Sequence, residues 1–142
     1  MKFLATLLVL PAAAFAVSTT LSWDSVYDNK SGSMDTVACS DGSNGLENRG
    51  FKTFGSLPTF PNIGGIPDIT EWNSASCGTC WNVTYVNGQG KSKSITVTGI
   101  DVGSKGFNVA QAAMNTLTNN QAVSFGRVNV NAVKIAASNC GL

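Results

Sequence analysis

The chain has 142 residues with nine basic and eight acidic side chains, a formal net charge of +1 and no histidine. So small a charge gives no electrostatic reason to expect nucleic acid or an anionic membrane as a partner. Without histidine the chain lacks Ser-His-Asp and Cys-His catalytic centres and imidazole metal sites, and we expect neither a metal nor a cofactor.

The first sixteen residues have the three parts of a secretory signal peptide. Lys2 supplies a positive charge, an apolar stretch follows, and Ala14-Phe15-Ala16 offers a cleavage site of the small-x-small type. The apolar stretch is shorter than the roughly 18 residues that a membrane span needs. We therefore predict a signal peptide over residues 1–16, one exported domain over residues 17–142 and no membrane span.

The first half of this domain alternates between short strands and turns. Residues 19–23 alternate apolar and polar side chains and predict an opening strand, and residues 34–38 predict a second one. Residues 45–51 form at most a short helix. Residues 56–68 hold three prolines and two glycines, and we expect a long loop there that packs on a rigid sheet or barrel.

The second half carries the clearest elements of secondary structure. Residues 81–86 and 92–100 are rich in Val, Ile and Thr, and the Asn-Gly turn between them predicts a hairpin. Asn108 is a candidate cap for a helix over residues 109–117. A last strand is predicted over residues 127–137. These elements indicate a compact, mostly β domain.

The four cysteines are an even number in a chain that we expect to be exported, which favours two disulfides. Spacing alone leaves all three pairings open. A redox CxxC would need βαβ units around it, and a zinc site would need further ligands at finger-like spacing. The cysteines are Cys39, Cys77, Cys80 and Cys140.

Five segments together resemble one known family. The segments are Val37-Ala38-Cys39-Ser40, the stretch from Phe60 to Ile69 that reads FPNIGGIPDI, Ser76-Cys77-Gly78-Thr79-Cys80-Trp81, Gly106-Phe107-Asn108 and Ser138-Asn139-Cys140. In this order, and with all four cysteines, they are similar to the fungal cerato-platanins over nearly the whole of residues 17–142.

The resemblance implies a mainly β fold. The expected fold is a six-stranded double-psi β-barrel with one or two short helices, related to the first domain of expansins and to family 45 endoglucanases. It also implies two disulfides, which join Cys39 to Cys77 and Cys80 to Cys140.

The resemblance further implies a secreted, extracellular protein of the fungal cell wall that is not an enzyme. Such a protein binds chitin or N-acetylglucosamine oligomers in a shallow groove, loosens polysaccharides as expansins do, and acts as an elicitor towards plants. Other wall polysaccharides and plant surface components are further expected partners, and we expect a monomer in solution.

The resemblance places the groove around Asp101, which we expect to follow a strand and open the loop over residues 102–107. A turn aspartate that bonds its own backbone is the alternative for this residue. Trp23 either stacks on a sugar or packs into the core, and Asn108 either contacts the ligand or only caps the helix. The predicted carbohydrate-binding residues are Asp101, Asn108, Trp23, Asp24, Gly106 and Phe107.

Two other functions remain as alternatives. A weak or vestigial polysaccharide hydrolase would need a second carboxylate beside Asp101, and Asp24 is the candidate. An interfacial, self-assembling surface protein would suit the near-zero net charge, although the chain lacks the eight cysteines of hydrophobins. Sugar release would distinguish the first alternative, and surface-tension measurements would distinguish the second.

Overall fold

A computed structural model describes residues 15–142 of the chain. The predicted signal peptide, residues 1–16, lies outside these residues except for Phe15 and Ala16. The described residues contain six strands: β1 Ala16–Trp23, β2 Ile63–Ile66, β3 Cys80–Val86, β4 Ser92–Val102, β5 Phe107–Val109 and β6 Arg127–Ile135.

The six strands close into a barrel in the order β1-β5-β2-β4-β3-β6. The pairs β1–β5 and β2–β4 are parallel, and the remaining pairs are antiparallel. Parallel neighbours need long crossover connections, and the two parallel pairs agree with the crossed connections of a double-psi topology. The mainly β, six-stranded fold predicted through the resemblance is confirmed.

Two short α-helices accompany the barrel, α1 Gln111–Thr118 and α2 Ala122–Phe125. The connecting segments of the described chain also form five short 3-10 helices: Ser25–Asp28, Met34–Thr36, Leu46–Arg49, Phe54–Ser56 and Ala137–Cys140. None of the helices in residues 15–142 is both long and apolar enough to span a membrane.

Three expectations about the elements were wrong. The strand predicted over residues 34–38 is a 3-10 helix and its flanking turn. The segment predicted as an unbroken loop, residues 56–68, contains β2, and the loop predicted over residues 102–107 overlaps the first residue of β5. Both missed strands are short, and Gly64 and Gly65 give β2 little intrinsic preference for a strand. Tertiary pairing with neighbouring strands creates them.

The β3–β4 hairpin confirms the strongest local prediction. Its seven-residue register pairs Thr84 with Ser94, and the two hydroxyl oxygens lie 2.6 Å apart. Oδ1 of Asn87 accepts hydrogen bonds of 2.9 Å from the backbone N–H groups of Gln89 and Lys91. The side chain of the turn asparagine thus organises the connection, as asparagine often does in turns.

The core fills the barrel and extends beneath the long connections. Phe107 and Trp81 meet edge to face inside it, with ring centroids 5.8 Å apart, a favoured arrangement for aromatic pairs. The largest side chains with almost no exposed surface are Phe54, Phe107, Leu21, Met34, Leu46, Ile63, Ile66, Ile69, Ile100 and Met114. The helix-containing connections thus belong to the same core as the strands.

Two disulfides fasten the connections to the barrel. They join Cys39 to Cys77 and Cys80 to Cys140, the pairing that the resemblance implies. Each bond ties one half of the central CxxC to a distant segment, 38 residues away in the first case and 60 in the second. The CxxC is therefore structural, and within the described chain no cysteine is free.

Candidate functional site

A shallow depression of about 220 Å³ lies beside the start of β5, between the end of β4 and the start of β6. Polar and glycine residues make up nearly all of its lining. They are Ser22, Val102, Gly103, Ser104, Lys105, Gly106, Asn108 and Arg127. It contains two of the predicted sugar-binding residues, Asn108 and Gly106, and we call it the groove.

Asn108 presents an oriented amide in the groove. It lies in β5 directly beside Ser22 of β1, and the Ser22 hydroxyl donates a 3.1 Å hydrogen bond to Oδ1 of Asn108. Since this bond uses the carbonyl oxygen and Asn108 lines the groove, the amide N–H₂ group is a donor available to a ligand there. Such a donor suits a sugar hydroxyl or the carbonyl of an acetamide group.

The interpretation of Asn108 as a helix cap was wrong. Helix α1 begins two residues later than predicted, after Ala110, which supplies no side-chain cap. Asp28 performs that role from a distant turn, because its carboxylate accepts hydrogen bonds from the backbone N–H groups of Gln111 at 2.8 Å and Ala112 at 3.0 Å. The side chain of Asn108 is therefore not occupied by the helix.

Arg127 forms the opposite side of the groove. One guanidinium nitrogen, Nη1, donates to Oγ1 of Thr20 at 2.9 Å and to the carbonyl oxygen of Lys105 at 3.0 Å. The Thr20 hydroxyl donates to the same carbonyl oxygen at 2.9 Å. These contacts hold the planar guanidinium, whose remaining N–H groups are further donors.

Asp101 adjoins the groove but its carboxylate does not line it. The residue lies inside β4 rather than at the opening of a loop, paired with Gly65 of β2. Oδ2 accepts a 2.8 Å hydrogen bond from the Tyr27 hydroxyl, and Oδ1 accepts from the backbone N–H groups of Ala38 at 3.1 Å and Val102 at 2.9 Å. The carboxylate thus joins three segments of the chain.

The Tyr27 hydroxyl is kept in its protonated form. Burial of the ring raises its pKa, and the negative charge of Asp101 and its hydrogen bond raise the pKa further. The more distant charge of Asp24 acts in the same direction. Asp24, Tyr27 and Asp101 therefore form one electrostatic cluster next to the groove.

Trp23 and Asp24 are engaged mainly in local structure. The Trp23 indole packs partly buried against the core, and its Nε1 donates a 2.9 Å hydrogen bond to the carbonyl oxygen of Ala122. Asp24 is exposed, and its Oδ1 caps the first 3-10 helix by accepting from the backbone N–H of Val26 at 3.0 Å. Neither side chain lines the groove.

Phe107 and Gly106 contribute to the candidate site in different ways. The Phe107 side chain is 1 % exposed, so a direct contact between its ring and a sugar does not fit its burial. Gly106 has a φ of 116° and lies in the groove. A Cβ there would lie 2.5 Å from the carbonyl oxygen of Thr20, and only glycine lets the backbone pass this close to β1.

A family model for cerato-platanin matches residues 19–142. The chain belongs to the cerato-platanin family. Among curated proteins, it is 51% identical over 130 residues to the "Allergen Asp f 15 homolog" of Arthroderma benhamiae, which covers 92% of this chain and 62% of that protein. It is 46% identical over 133 residues to the "Cerato-platanin" of Ceratocystis fimbriata f. sp. platani, with 93% of each chain covered.

Solved cerato-platanin structures share the fold. The crystal structure of cerato-platanin 2 from M. perniciosa superposes with a TM-score of 0.84 at 51% identity, and the match covers 89% of this chain and 100% of that one. The solution structure of the fungal elicitor Cerato-Platanin gives a TM-score of 0.71 at 45% identity and covers 86% of this chain and 96% of that chain. The architecture described above is therefore that of cerato-platanins.

In this cerato-platanin, sequence reasoning missed three residues that shape the site. Tyr27 holds Asp101, Ser22 orients Asn108, and Arg127 forms a wall of the groove. No local pattern indicated these roles. Tyr27 and Asp101 lie 74 positions apart in the chain, and Ser22 acts through its place on paired strands, opposite both Asn108 and Arg127.

Proposed function

We propose that this cerato-platanin is a secreted fungal wall protein that binds chitin or N-acetylglucosamine oligomers in the groove without cleaving them. The observation that carries the proposal is the oriented amide of Asn108 across the groove from the fixed guanidinium of Arg127. Neutral sugars offer hydroxyl and acetamide groups, which such donors and the backbone at Gly106 can bond. The groove needs no charge on the sugar.

The size of the groove suits one sugar ring of a longer chain. Its volume of about 220 Å³ is below the roughly 300–1,000 Å³ typical of pockets that enclose a small molecule. An oligomer would therefore lie across the surface and place one residue in the groove. Weak, exposed binding of this kind fits expansin-like loosening, in which a protein displaces polysaccharide contacts without breaking bonds.

The carboxylate cluster supports binding more than hydrolysis. Glycoside hydrolysis needs an acid and a second carboxylate placed around the scissile bond. Here the Asp101 carboxylate accepts three hydrogen bonds from the protein, and Asp24 caps a turn. We therefore propose that the cluster fixes the barrel rim and that no sugar is released.

The test is an amide chemical-shift titration of the disulfide-bonded protein with chitohexaose, with cellohexaose as the control sugar. Asn108→Ala should weaken chitohexaose binding by about three- to tenfold, the effect of one lost hydrogen bond. Asn139→Ala removes an exposed amide from the C-terminal 3-10 helix and should leave the affinity unchanged. Shifts at the groove without product sugars support the proposal; released sugars, or equal effects of both variants, overturn it.

Elicitor activity is proposed separately, from family membership and the relative whose solution structure is described as that of a fungal elicitor. Infiltration of the purified protein into leaves should produce an oxidative burst within the tissue. Comparison of the wild type with Asn108→Ala would show whether the plant response depends on the groove. Absence of any response at concentrations that saturate the groove would contradict this part of the proposal.

A further inference from the structure

A second and larger cleft lies between the tip of the β3–β4 hairpin and the helices α1 and α2. Its volume is about 600 Å³, and it shares no lining residue with the groove. Aromatic, amide and basic side chains line it. They are Tyr85, Asn87, Gln89, Lys91, Ser92 and Lys93 on the hairpin, and Leu117, Thr118, Asn119, Gln121 and Phe125 on the helical side, with Gly88 at the tip. We call it the hairpin–helix cleft.

Both walls of the hairpin–helix cleft are fixed by hydrogen bonds within the protein. On one side, Oδ1 of Asn87 holds the backbone at Gln89 and Lys91. On the other side, the first residue of α2, Ala122, donates its N–H to Oδ1 of Asn115 at 3.0 Å and accepts from the Trp23 indole at 2.9 Å. A ligand would therefore enter a preformed site and order little of the chain on binding.

The cleft is basic. Lys91 and Lys93 line it, both are exposed, and none of its lining residues in the described chain is acidic. The charges are also unevenly distributed along the sequence. Seven of the eight acidic side chains lie between Asp24 and Glu71, whereas from residue 72 onward five basic side chains accompany Asp101 alone. The charges that line the cleft therefore favour an anion.

The other lining groups are those that bind sugar rings. Phe125 is 42 % exposed, and Tyr85 is partly buried directly opposite Lys93 in the β3–β4 register. Apolar ring faces cover pyranose rings, and the exposed amides of Asn119 and Gln121 can bond hydroxyl groups. Two lysines are too few for nucleic acid, whose binding commonly involves about six to ten phosphate contacts.

We propose that the hairpin–helix cleft is a second binding site that takes an acidic oligosaccharide, a chain of uronic acid residues with carboxylate groups. The carboxylates face Lys91 and Lys93, and one sugar ring covers Phe125. Lysine ammonium groups act as compact charges that suit separate carboxylates along a sugar chain. The site does not depend on the groove, so either can exist without the other.

The experiment titrates the disulfide-bonded protein with hexagalacturonate and follows the amide resonances, with the fully methyl-esterified hexamer and chitohexaose as controls. Hexagalacturonate should shift the amide resonances of Lys91, Lys93, Asn119 and Phe125. The amide resonances of Gly106 and Asn108 should not move. Lys91→Gln and Lys93→Gln should each weaken binding roughly two- to fivefold, as expected for exposed charge pairs. Higher salt should weaken binding further.

Two matched variants separate the cleft from general surface effects. Lys134→Gln removes an exposed lysine of β6 outside the cleft, and Val123→Ala removes an apolar side chain of α2 that is 65 % exposed and does not line it. Both should bind as the wild type does, whereas Phe125→Ala should bind more weakly. Equal binding of the methyl ester, equal loss in Lys134→Gln, or shifts confined to the groove would overturn the proposal.

Discussion

The hydroxyl of Tyr27 donates a 2.8 Å hydrogen bond to Oδ2 of Asp101, from the 3-10 helix after β1 to a residue 74 positions later in β4. Tyr27 is 4 % exposed, and burial followed by the nearby negative charge raises its pKa above the usual value of about 10. The hydroxyl therefore remains a donor wherever the protein is folded near neutral pH. This bond fastens the first connection to the rim of the barrel beside the groove.

The raised pKa of Tyr27 predicts a loss of stability in alkaline solution. Below a pH of about 10 the tyrosine is protonated in both the folded and the unfolded chain, and its contribution is complete. Above that pH the unfolded chain binds fewer protons than the folded one, so the free energy of unfolding falls by about 1.4 kcal/mol per pH unit for this group. Urea unfolding at a series of pH values measures the slope.

Two variants isolate the contribution of Tyr27 from that of the other groups of the chain. Tyr27→Phe should make the fall of the free energy of unfolding with rising pH less steep. It should also lower the free energy of unfolding near neutral pH by about 1.5–3 kcal/mol, because a hydrogen bond to a charged acceptor is lost. Tyr85→Phe, the other tyrosine of the chain, should keep the full slope. An unchanged slope in Tyr27→Phe would show that this hydroxyl does not titrate as inferred.

Asp28 is predicted to stabilise α1 although it lies 83 residues before it. Both of its carboxylate oxygens accept hydrogen bonds from the first turn, and its negative charge suits the positive end of the helix dipole. Asp28→Ala should lower the free energy of unfolding by about 0.5–2 kcal/mol, the usual cost of a lost cap. Denaturant titration would measure it, and an equal loss in the exposed Asp68→Ala would argue against capping.

Gly65 is predicted to resist substitution because β2 has no room for a side chain there. A Cβ at this position would lie 2.4 Å from the carbonyl oxygen of Val102, a backbone atom that cannot rotate away. Gly65→Ala should destabilise the barrel by about 1–3 kcal/mol, as overpacking does. Gly88→Ala at the hairpin tip meets nothing within 4 Å and should change stability little in the same urea experiment. Similar values for both variants would contradict the steric argument.

Each disulfide is predicted to contribute about 4 kcal/mol to stability. Loops of 38 and 60 residues give nearly equal values in the chain-entropy estimate, which varies slowly with loop length. Replacing Cys39 and Cys77 together with alanine, or Cys80 and Cys140 together, should therefore lower the free energy of unfolding by similar amounts. A large difference between the two double variants in urea unfolding would show that effects on the folded state dominate.

The local elements of this fold could be predicted because their determinants are neighbours in sequence. Alternating Val, Ile and Thr with the Asn87 turn were sufficient for β3 and β4. The same reasoning failed for β2, where the glycines of a strand looked like a loop. Glycine was required there by the close approach of β4, which no local pattern reveals.

In the candidate site too, some residues could be identified from the sequence and others only from the structure. Gly106 and Asn108 were identified from a family resemblance, and the structure places both in the groove. The resemblance could not show that Asp101 faces Tyr27 or that Phe107 packs on Trp81. Those partners come from segments far apart in the chain, so only the closed barrel brings them together.

By itself the sequence determined the hairpin and the last strand, and through its motifs the family, the barrel fold and the disulfide pairing. Tertiary structure alone decided which residue caps α1, which hydroxyl orients Asn108 and where the basic cleft lies. The physical reason is the distance along the chain over which each effect acts. Propensity and periodicity act between residues within about one turn or one strand pair, whereas caps, strand neighbours and clefts depend on contacts that form only when the barrel closes.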